Sequence, residues 1–133
     1  MKSSRTSERL VGIPLLFAVL ALAGCDLSGP GGPAHVAGTV TGSPTLGAAV
    51  VELTWRGVTG FEGRGSTQSY SGAVPGVQDR HRVILVDAAG GDLRFTIVLD
   101  DARLDGPVVT VVSAVGTDDL PLEVTGLRVV LER

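Results

Sequence analysis

From residue 35 onward, apolar and polar positions alternate along short segments. The clearest case is 93–100, where Leu, Phe, Ile and Leu alternate with Arg, Thr, Val and Asp. Residues 36–41, 50–55 and 127–132 alternate in the same way. A period of two is typical of a β-strand with one buried and one solvated face. The pattern therefore predicts four half-buried strands, with Phe95 in the core.

Two further segments, 83–86 and 108–112, are apolar at nearly every position. A strand without a polar face is typical of the centre of a layered fold, so both are predicted to be central strands covered on both sides. Turn signals rich in Gly, Pro and Asp separate the segments, and no window shows helical periodicity.

Residues 57–79 break the pattern, because six glycines interrupt any long strand. Residues 68–71 are predicted to form one short edge strand. The remainder is predicted to be a long polar loop, which is where a binding function is expected.

The chain of 133 residues has room for one domain. About six or seven short strands predict an all-β fold, a small antiparallel β-sandwich of immunoglobulin-like size. A small open barrel is the main competing architecture.

The first 24 residues do not read as part of this fold. Lys2, Arg5 and Arg9 make a basic start with Glu8 among them, and an apolar run follows from 10 to 24. That run is shorter than the roughly 20 apolar residues of a membrane span, but it has the length of a signal-peptide core. The predicted organisation is a signal peptide over 1–24, a Gly- and Pro-rich tether over 25–34 and a β-domain over 35–133.

The end of the apolar run, Leu22-Ala23-Gly24-Cys25, resembles the lipobox of bacterial lipoproteins. The resemblance implies that a diacylglyceryl group is joined to the Cys25 thiol and that cleavage falls between Gly24 and Cys25. The new amino group is often acylated as well, and two or more chains give stable anchoring. The whole chain resembles the small lipoproteins of high-GC bacteria. The resemblance therefore implies a membrane-anchored protein facing the periplasm or the cell exterior.

Asp26 follows the cysteine directly and resembles the signal that retains enterobacterial lipoproteins in the inner membrane. That rule varies among bacteria, so the choice between inner and outer membrane stays open. The nine residues 26–34 span at most about 30 Å when extended. The β-domain is therefore expected to sit close to the bilayer.

The net charge argues against nucleic acid as a partner, and the cysteine count excludes a disulfide within the chain. The chain has 11 basic and 14 acidic residues, and removing the three basic and one acidic residues of 1–24 leaves 8 and 13. A net-acidic domain lacks the basic footprint that nucleic acids require. Cys25 is the only cysteine, so no disulfide forms within the chain.

Residues 36–54 resemble the opening of carboxypeptidase regulatory-like (transthyretin-like) domains. Val-Ala-Gly-Thr-Val-Thr is followed by Leu-Gly-Ala-Ala-Val-Val-Glu-Leu-Thr, as in the first two strands of that seven-stranded sandwich. The segments expected after them in that family, Thr-Asp-x-x-Gly-x-Phe and Pro-x-Gly-x-Tyr, are missing. The resemblance implies a sandwich and brings no catalytic residue.

Enzyme motifs are scarce. The sequence has no Gly-x-Ser-x-Gly elbow, no His-Glu-x-x-His and no Cys-x-x-Cys, and its two histidines are His35 and His81. We therefore expect a non-enzymatic protein without a cofactor. Arg80, His81 and Arg82 form a short basic run that suits anionic headgroups, although a solvated strand start is the ordinary interpretation.

Two sets of residues are candidates for ligand binding. The aromatic side chains of the glycine-rich region are candidates for a glycan platform, although burial is the expected role of Trp55: Trp55, Phe61 and Tyr70. The Asp-rich turns are candidates for calcium, although Asp is also an ordinary turn residue: Asp100, Asp101, Asp105, Asp118 and Asp119.

Two functions therefore stay open. The first is a lipid-anchored protein-interaction or structural module of the envelope, with an envelope protein as partner. The alternative is a glycan- or calcium-binding module. An exposed apolar patch or a free strand edge would favour the first. Clustering of Trp55, Phe61 and Tyr70 on one surface would favour the second.

Overall fold

The structure is a computed structural model that describes residues 31–103 and 106–133. These residues form eight β-strands and one short 3-10 helix. The strands are β1 (Ala34–Thr41), β2 (Leu46–Thr54), β3 (Val58–Gly63), β4 (Gln68–Ala73), β5 (Arg80–Val86), β6 (Leu93–Leu99), β7 (Val108–Gly116) and β8 (Arg128–Glu132). The helix covers Val124–Gly126.

The strands form two four-stranded antiparallel sheets. Sheet A has the order β3-β6-β1-β8, and sheet B has the order β4-β5-β2-β7. Two separate sheets around one core make a sandwich, so the predicted fold class is confirmed and the barrel is not formed.

The core lies between the sheets and follows the alternation in the sequence. Leu93, Phe95, Ile97 and Leu99 of β6 are fully buried, and Val51 and Leu53 of β2 face them from the other sheet. Burying one such side chain stabilises the fold by about 1.5–3 kcal/mol. Strand β6 is therefore the main apolar contribution of sheet A.

Strand β1 has a glycine at the place where it packs against the ring of Phe95. Gly38 pairs with Phe95 in the register of β1 and β6. A Cβ atom at Gly38 would lie 2.3 Å from the ring carbon Cζ of Phe95. Only glycine leaves room for the aromatic ring at this position, so the glycine is part of the core packing.

The edge strand predicted at 68–71 is present, but the long polar loop predicted for the rest of 57–79 is wrong over 58–63 and 72–73, which are strand residues. Strand β3 pairs with β6, and β4 pairs with β5 and extends past the predicted 68–71. Both strands lie at sheet edges, where glycines cost less because only one neighbouring strand must be matched. The count is therefore eight strands rather than six or seven.

The prediction that two strands are central and covered on both sides is also wrong. Strand β7 is an edge strand of sheet B, and β5 is an interior strand whose outer face is open to solvent. Val83 and Leu85 of β5 are fully buried, while Ile84 between them is 44% exposed. Both segments form strands, but the predicted central position is wrong for β7, and the predicted cover on the outer face of β5 is missing among the described residues.

We call the end of the sandwich at which β1 begins the entry end, and the opposite end the distal end. The Ala102 amide donates to the Gly32 carbonyl (2.7 Å) at the entry end, which therefore fixes the last residues before β1. The strands β2 and β6 finish at this end, and β5 and β7 start there.

Candidate functional site

The outer face of sheet B carries a row of apolar side chains across all four strands. Tyr70 of β4 pairs with Ile84 of β5, and Ile84 pairs with Val50 of β2. A β-bulge in β7 places both Val112 and Ser113 opposite Val50. Tyr70 is 60% exposed, and Ile84 and Val112 are each 44% exposed. We call the outer face of sheet B, with this apolar row at its centre, the sheet B face.

The next row toward the distal end extends the same apolar surface. Val86 pairs with Ala48, and Ala48 pairs with Val115. A groove of about 330 Å³ lies along β4, and its lining includes Tyr70, Ile84 and Pro75. Gly72 has no atom within 4 Å of where a Cβ would stand, so it leaves the floor of this groove open.

Two rows of the sheet B face carry charge, and the one nearer the entry end holds Arg80, whose Nε donates to Oγ1 of Thr54 (3.4 Å). In the other charged row, Glu52 of β2 pairs with Arg82 of β5, and the two side chains form an ion pair. The Arg82 Nε also donates to Oε1 of Glu52 (3.0 Å). The two central strands therefore carry opposite charges beside an apolar row.

The outer face of sheet A is different in chemistry. Its outward positions on β1 and β6 are mostly polar, with the smaller apolar residues Ala37 and Val98 among them, and the edge strand β8 adds Val130 between Arg128 and Glu132. The polar residues are His35, Thr39, Arg94 and Thr96. A sheet with one face in water normally has this polar surface. The sheet B face is therefore the unusual surface of the molecule.

A buried carboxylate, Asp87, lies at the distal end. The Ser66 hydroxyl donates to its Oδ2 (2.6 Å), and the Ala89 amide donates to its Oδ1 (3.0 Å). These hydrogen bonds, the one from Ser66 above all, lower the pKa of Asp87 below its ordinary value, while desolvation opposes them. Thr67 also donates to Oδ2 (3.4 Å) and accepts from the Arg94 amide (3.1 Å).

The Asp87 cluster joins two turns rather than forming a reactive site. It links the β3–β4 turn to the β5–β6 turn across the distal end, beside a polar hollow of about 310 Å³. A serine nucleophile needs a general base, and His35 and His81 both lie toward the entry end. The hydrogen bonds of the cluster connect the two turns. Sequence reasoning missed it because Ser66 and Asp87 are 21 residues apart.

The three aromatic candidates do not share a surface. Trp55 and Phe61 pack against the core, and Phe61 also meets His81 with ring centroids 5.8 Å apart. Tyr70 points outward from sheet B. The indole Nε1 of Trp55 is buried and has no hydrogen-bond partner among the described residues. Tyr70 is therefore the most open of the three, whereas half-buried Trp55 lines a separate hollow beside Arg56 and Gln78.

The acidic candidates lie at opposite ends of the sandwich. Asp100 and Asp101 follow β6 at the entry end, whereas Asp118 and Asp119 follow β7 at the distal end. Asp101 binds the Arg103 guanidinium (Oδ2 to Nη2, 2.9 Å), which lowers its pKa to about 2. Asp118 accepts from the Leu120 amide (3.1 Å), as Asp often does in turns.

No three His, Cys, Asp or Glu side chains come together as a metal site among the described residues. Asp105 lies outside those residues, so the calcium hypothesis retains only the separated Asp pairs within them. The basic run is also divided, because Arg82 is held by Glu52 on the outer face while His81 contacts Phe61.

Gly24 and Cys25 also lie outside the described residues, as does the whole segment 1–30. Within 31–103 and 106–133, no helix has the length and apolar character needed to cross a bilayer.

Comparisons with protein-family models, with curated proteins and with solved structures found no match. The function must be argued from the molecule itself. The resemblances of 22–25 and 36–54 accordingly stay predictions from the residues quoted for them.

The strongest candidate site is one that sequence reasoning did not name. The sheet B face depends on the register of β5 with β2 and of β2 with β7, which are pairings distant in the sequence. Its signal was present in the apolar run 83–86, which lacks the polar positions of a solvated face. Whether such a face is covered is decided by the fold and its partners, and the sequence pattern carries no information on that point.

Proposed function

We propose that the protein is a lipid-anchored, non-enzymatic module of the bacterial envelope that binds another protein through the sheet B face. The observation that carries this proposal is the apolar row of Tyr70, Ile84, Val50 and Val112, open to solvent on one sheet. Large apolar patches on soluble domains mark interaction sites, because their exposure to water is unfavourable.

The anchoring part of the proposal rests on the lipobox at Cys25 and on the short tether after it. The nine residues 26–34 limit the domain to about 30 Å from the bilayer. A partner reached from there is a protein in or near the same membrane. The non-enzymatic part rests on the absence of an assembled base and nucleophile among the described residues.

The test is a pulldown of the native lipidated protein from cross-linked envelopes. Ile84→Asp places a charge in the middle of the apolar row, and Val130→Asp places the same charge on the outer face of sheet A. The two residues are a matched pair, at 44% and 45% exposure. We expect the partner to be lost with Ile84→Asp and retained with Val130→Asp.

Cys25→Ala tests the anchor separately. We expect this variant to leave the membrane fraction and to lose partners that require the membrane. Equal capture by the wild type, Ile84→Asp and Cys25→Ala would contradict both parts of the proposal.

A glycan-binding role is the second candidate, and one observation favours it. Tyr70 is 60% exposed beside the groove along β4, and sugar rings stack on open aromatic faces. A glycan panel read by thermal midpoint tests it. A ligand that stabilises the wild type but not Tyr70→Ala would support this role, and an unchanged midpoint across the panel would refute it.

A further inference from the structure

We infer that the partner of the sheet B face is a second copy of this chain, packed face to face with its strands running in the same direction. The inference rests on the proposed function in one respect, since it identifies the protein that the proposed interaction surface binds. It is argued from strand order, charge positions and the end at which the chain enters the sandwich.

The strand order permits a self-complementary contact. In the order β4-β5-β2-β7, a two-fold axis parallel to the strands places β5 of one copy over β2 of the other and β4 over β7. Rotation about this axis leaves the position of each row along the strand direction unchanged. Ile84 then faces Val50 of the second copy, and Tyr70 faces Val112 of the second copy.

The row that contains Glu52 and Arg82 favours this axis on electrostatic grounds. In this arrangement Arg82 of each copy lies over Glu52 of the other copy. The two ion pairs thus form a ring of alternating charges. A two-fold axis perpendicular to the strands would reverse the rows and bring this row toward the Ala48 and Val86 row, leaving charges against apolar groups. Charge complementarity therefore favours the parallel arrangement over the reversed one.

The position of the entry end agrees independently. When the axis is parallel to the strands, both copies have their entry ends, where Ala34 begins β1, on the same side of the dimer. The reversed arrangement places the entry ends on opposite sides. With a reach of about 30 Å per tether, the parallel arrangement is the one that fits two anchors in the same bilayer.

The size of the face sets the expected strength. Four strands about 4.8 Å apart and about seven residues long give a face of roughly 19 by 23 Å, or about 400 Å² on each copy. That area is below the roughly 800 Å² per partner of a standard stable interface. We therefore expect a weak dimer in dilute detergent and a populated dimer in the membrane, where anchoring raises the effective concentration.

Cross-linking of the full-length protein in envelope membranes tests the arrangement. Packed sheets lie about 10 Å apart, which is beyond the reach of a disulfide, so a short bis-maleimide reagent is used on variants that carry one added cysteine besides Cys25. Ile84→Cys is expected to give a band of twice the protein's mass. Val130→Cys, with nearly the same exposure on sheet A, is expected to give none.

A charge exchange tests the register. Glu52→Arg and Arg82→Glu, each in the Ile84→Cys background, place four like charges together and are expected to reduce cross-linking by about tenfold or more. The two variants are then co-expressed with different tags. In a mixed dimer, the two arginines of the Glu52→Arg copy face the two glutamates of the Arg82→Glu copy. We expect this mixture to restore a mixed dimer, which also shows that both variants fold.

The outcomes separate this inference from the proposed function. Equal dimer bands from Ile84→Cys and Val130→Cys, or a mixture that forms no mixed dimer, would overturn the second-copy inference. A band of another mass, formed by Ile84→Cys and not by Val130→Cys, would overturn it while supporting the proposed interaction with a different protein. No cross-linked product at Ile84→Cys would overturn the second-copy inference alone, because the reagent joins two thiols and a different partner need not carry one at this place; the pulldown with Ile84→Asp decides the proposed function. Cross-linking of the wild type through Cys25 would show a free thiol and contradict the lipid anchor.

Discussion

Replacing Gly38 by alanine tests whether β1 and β6 are packed as described. An ideal Cβ at Gly38 would lie 2.3, 2.5 and 2.8 Å from three ring carbons of Phe95. Phe95 is fully buried, so its ring has no solvent space into which to move. We expect the alanine to force the ring, and the side chains around it, out of their preferred positions.

The expected cost follows from two opposing effects. Overpacking of a core costs about 1–3 kcal/mol. Replacing a glycine also reduces the freedom of the unfolded chain, which stabilises by about 0.4–1 kcal/mol. The net loss for Gly38→Ala is therefore about 1–2 kcal/mol. In a domain of this size that corresponds to a fall in thermal midpoint of roughly 4–16 °C.

The assay is thermal and urea unfolding with two comparison variants. Gly72→Ala is the matched control, because nothing lies within 4 Å of its Cβ position, and it is expected to be neutral or slightly stabilising. Phe95→Leu removes the ring, so adding Gly38→Ala to it is expected to cost less than in the wild type. A Gly38→Ala protein as stable as Gly72→Ala would refute the packing argument.

Three further predictions concern acid stability, the two faces of β5 and calcium. Since the pKa of folded Asp87 is lowered, its contribution to stability is complete above the ordinary pKa of 3.8 and is lost as the pH falls through the folded value. Asp87→Asn is therefore expected to be less stable than the wild type at neutral pH, with a gap that narrows in acid, as measured by thermal midpoints across pH. Leu85→Ala is expected to cost about 2–5 kcal/mol in urea unfolding, while Ile84→Ala on the open face costs less than about 1 kcal/mol. Calcium and a chelator are expected to leave the thermal midpoint unchanged, and a clear shift would revive the Asp-rich turns as a binding site.

The sandwich was predictable because its core strands obey one simple rule. In β6, every second residue is a large apolar side chain, and all four of these are buried. Strand β3 was not predictable in the same way. Its glycines, Gly60 and Gly63, mask the alternation, and its partner residues in β6 lie 32 to 41 positions later in the chain.

The candidate site was less predictable than the fold. Tyr70 was singled out from sequence as an aromatic residue, but its neighbours on the open face are Ile84 and Val50, from strands that sequence reasoning treated as ordinary core. The ion pair of Arg82 with Glu52 joins residues 30 positions apart. Such contacts depend on strand register, which is set by the whole sheet rather than by local sequence.

The order in which strands enter the two sheets has a consequence for how the chain folds. Among the eight described strands, only β4 and β5 are neighbours both in sequence and in a sheet. Every other pairing closes a long loop, and β1 receives its second neighbour only when β8, the last strand, is available. Distant pairings form slowly, because each must first close a long loop of chain. Each sheet therefore gains its last strand, β7 in one and β8 in the other, only after most of the chain has been synthesised.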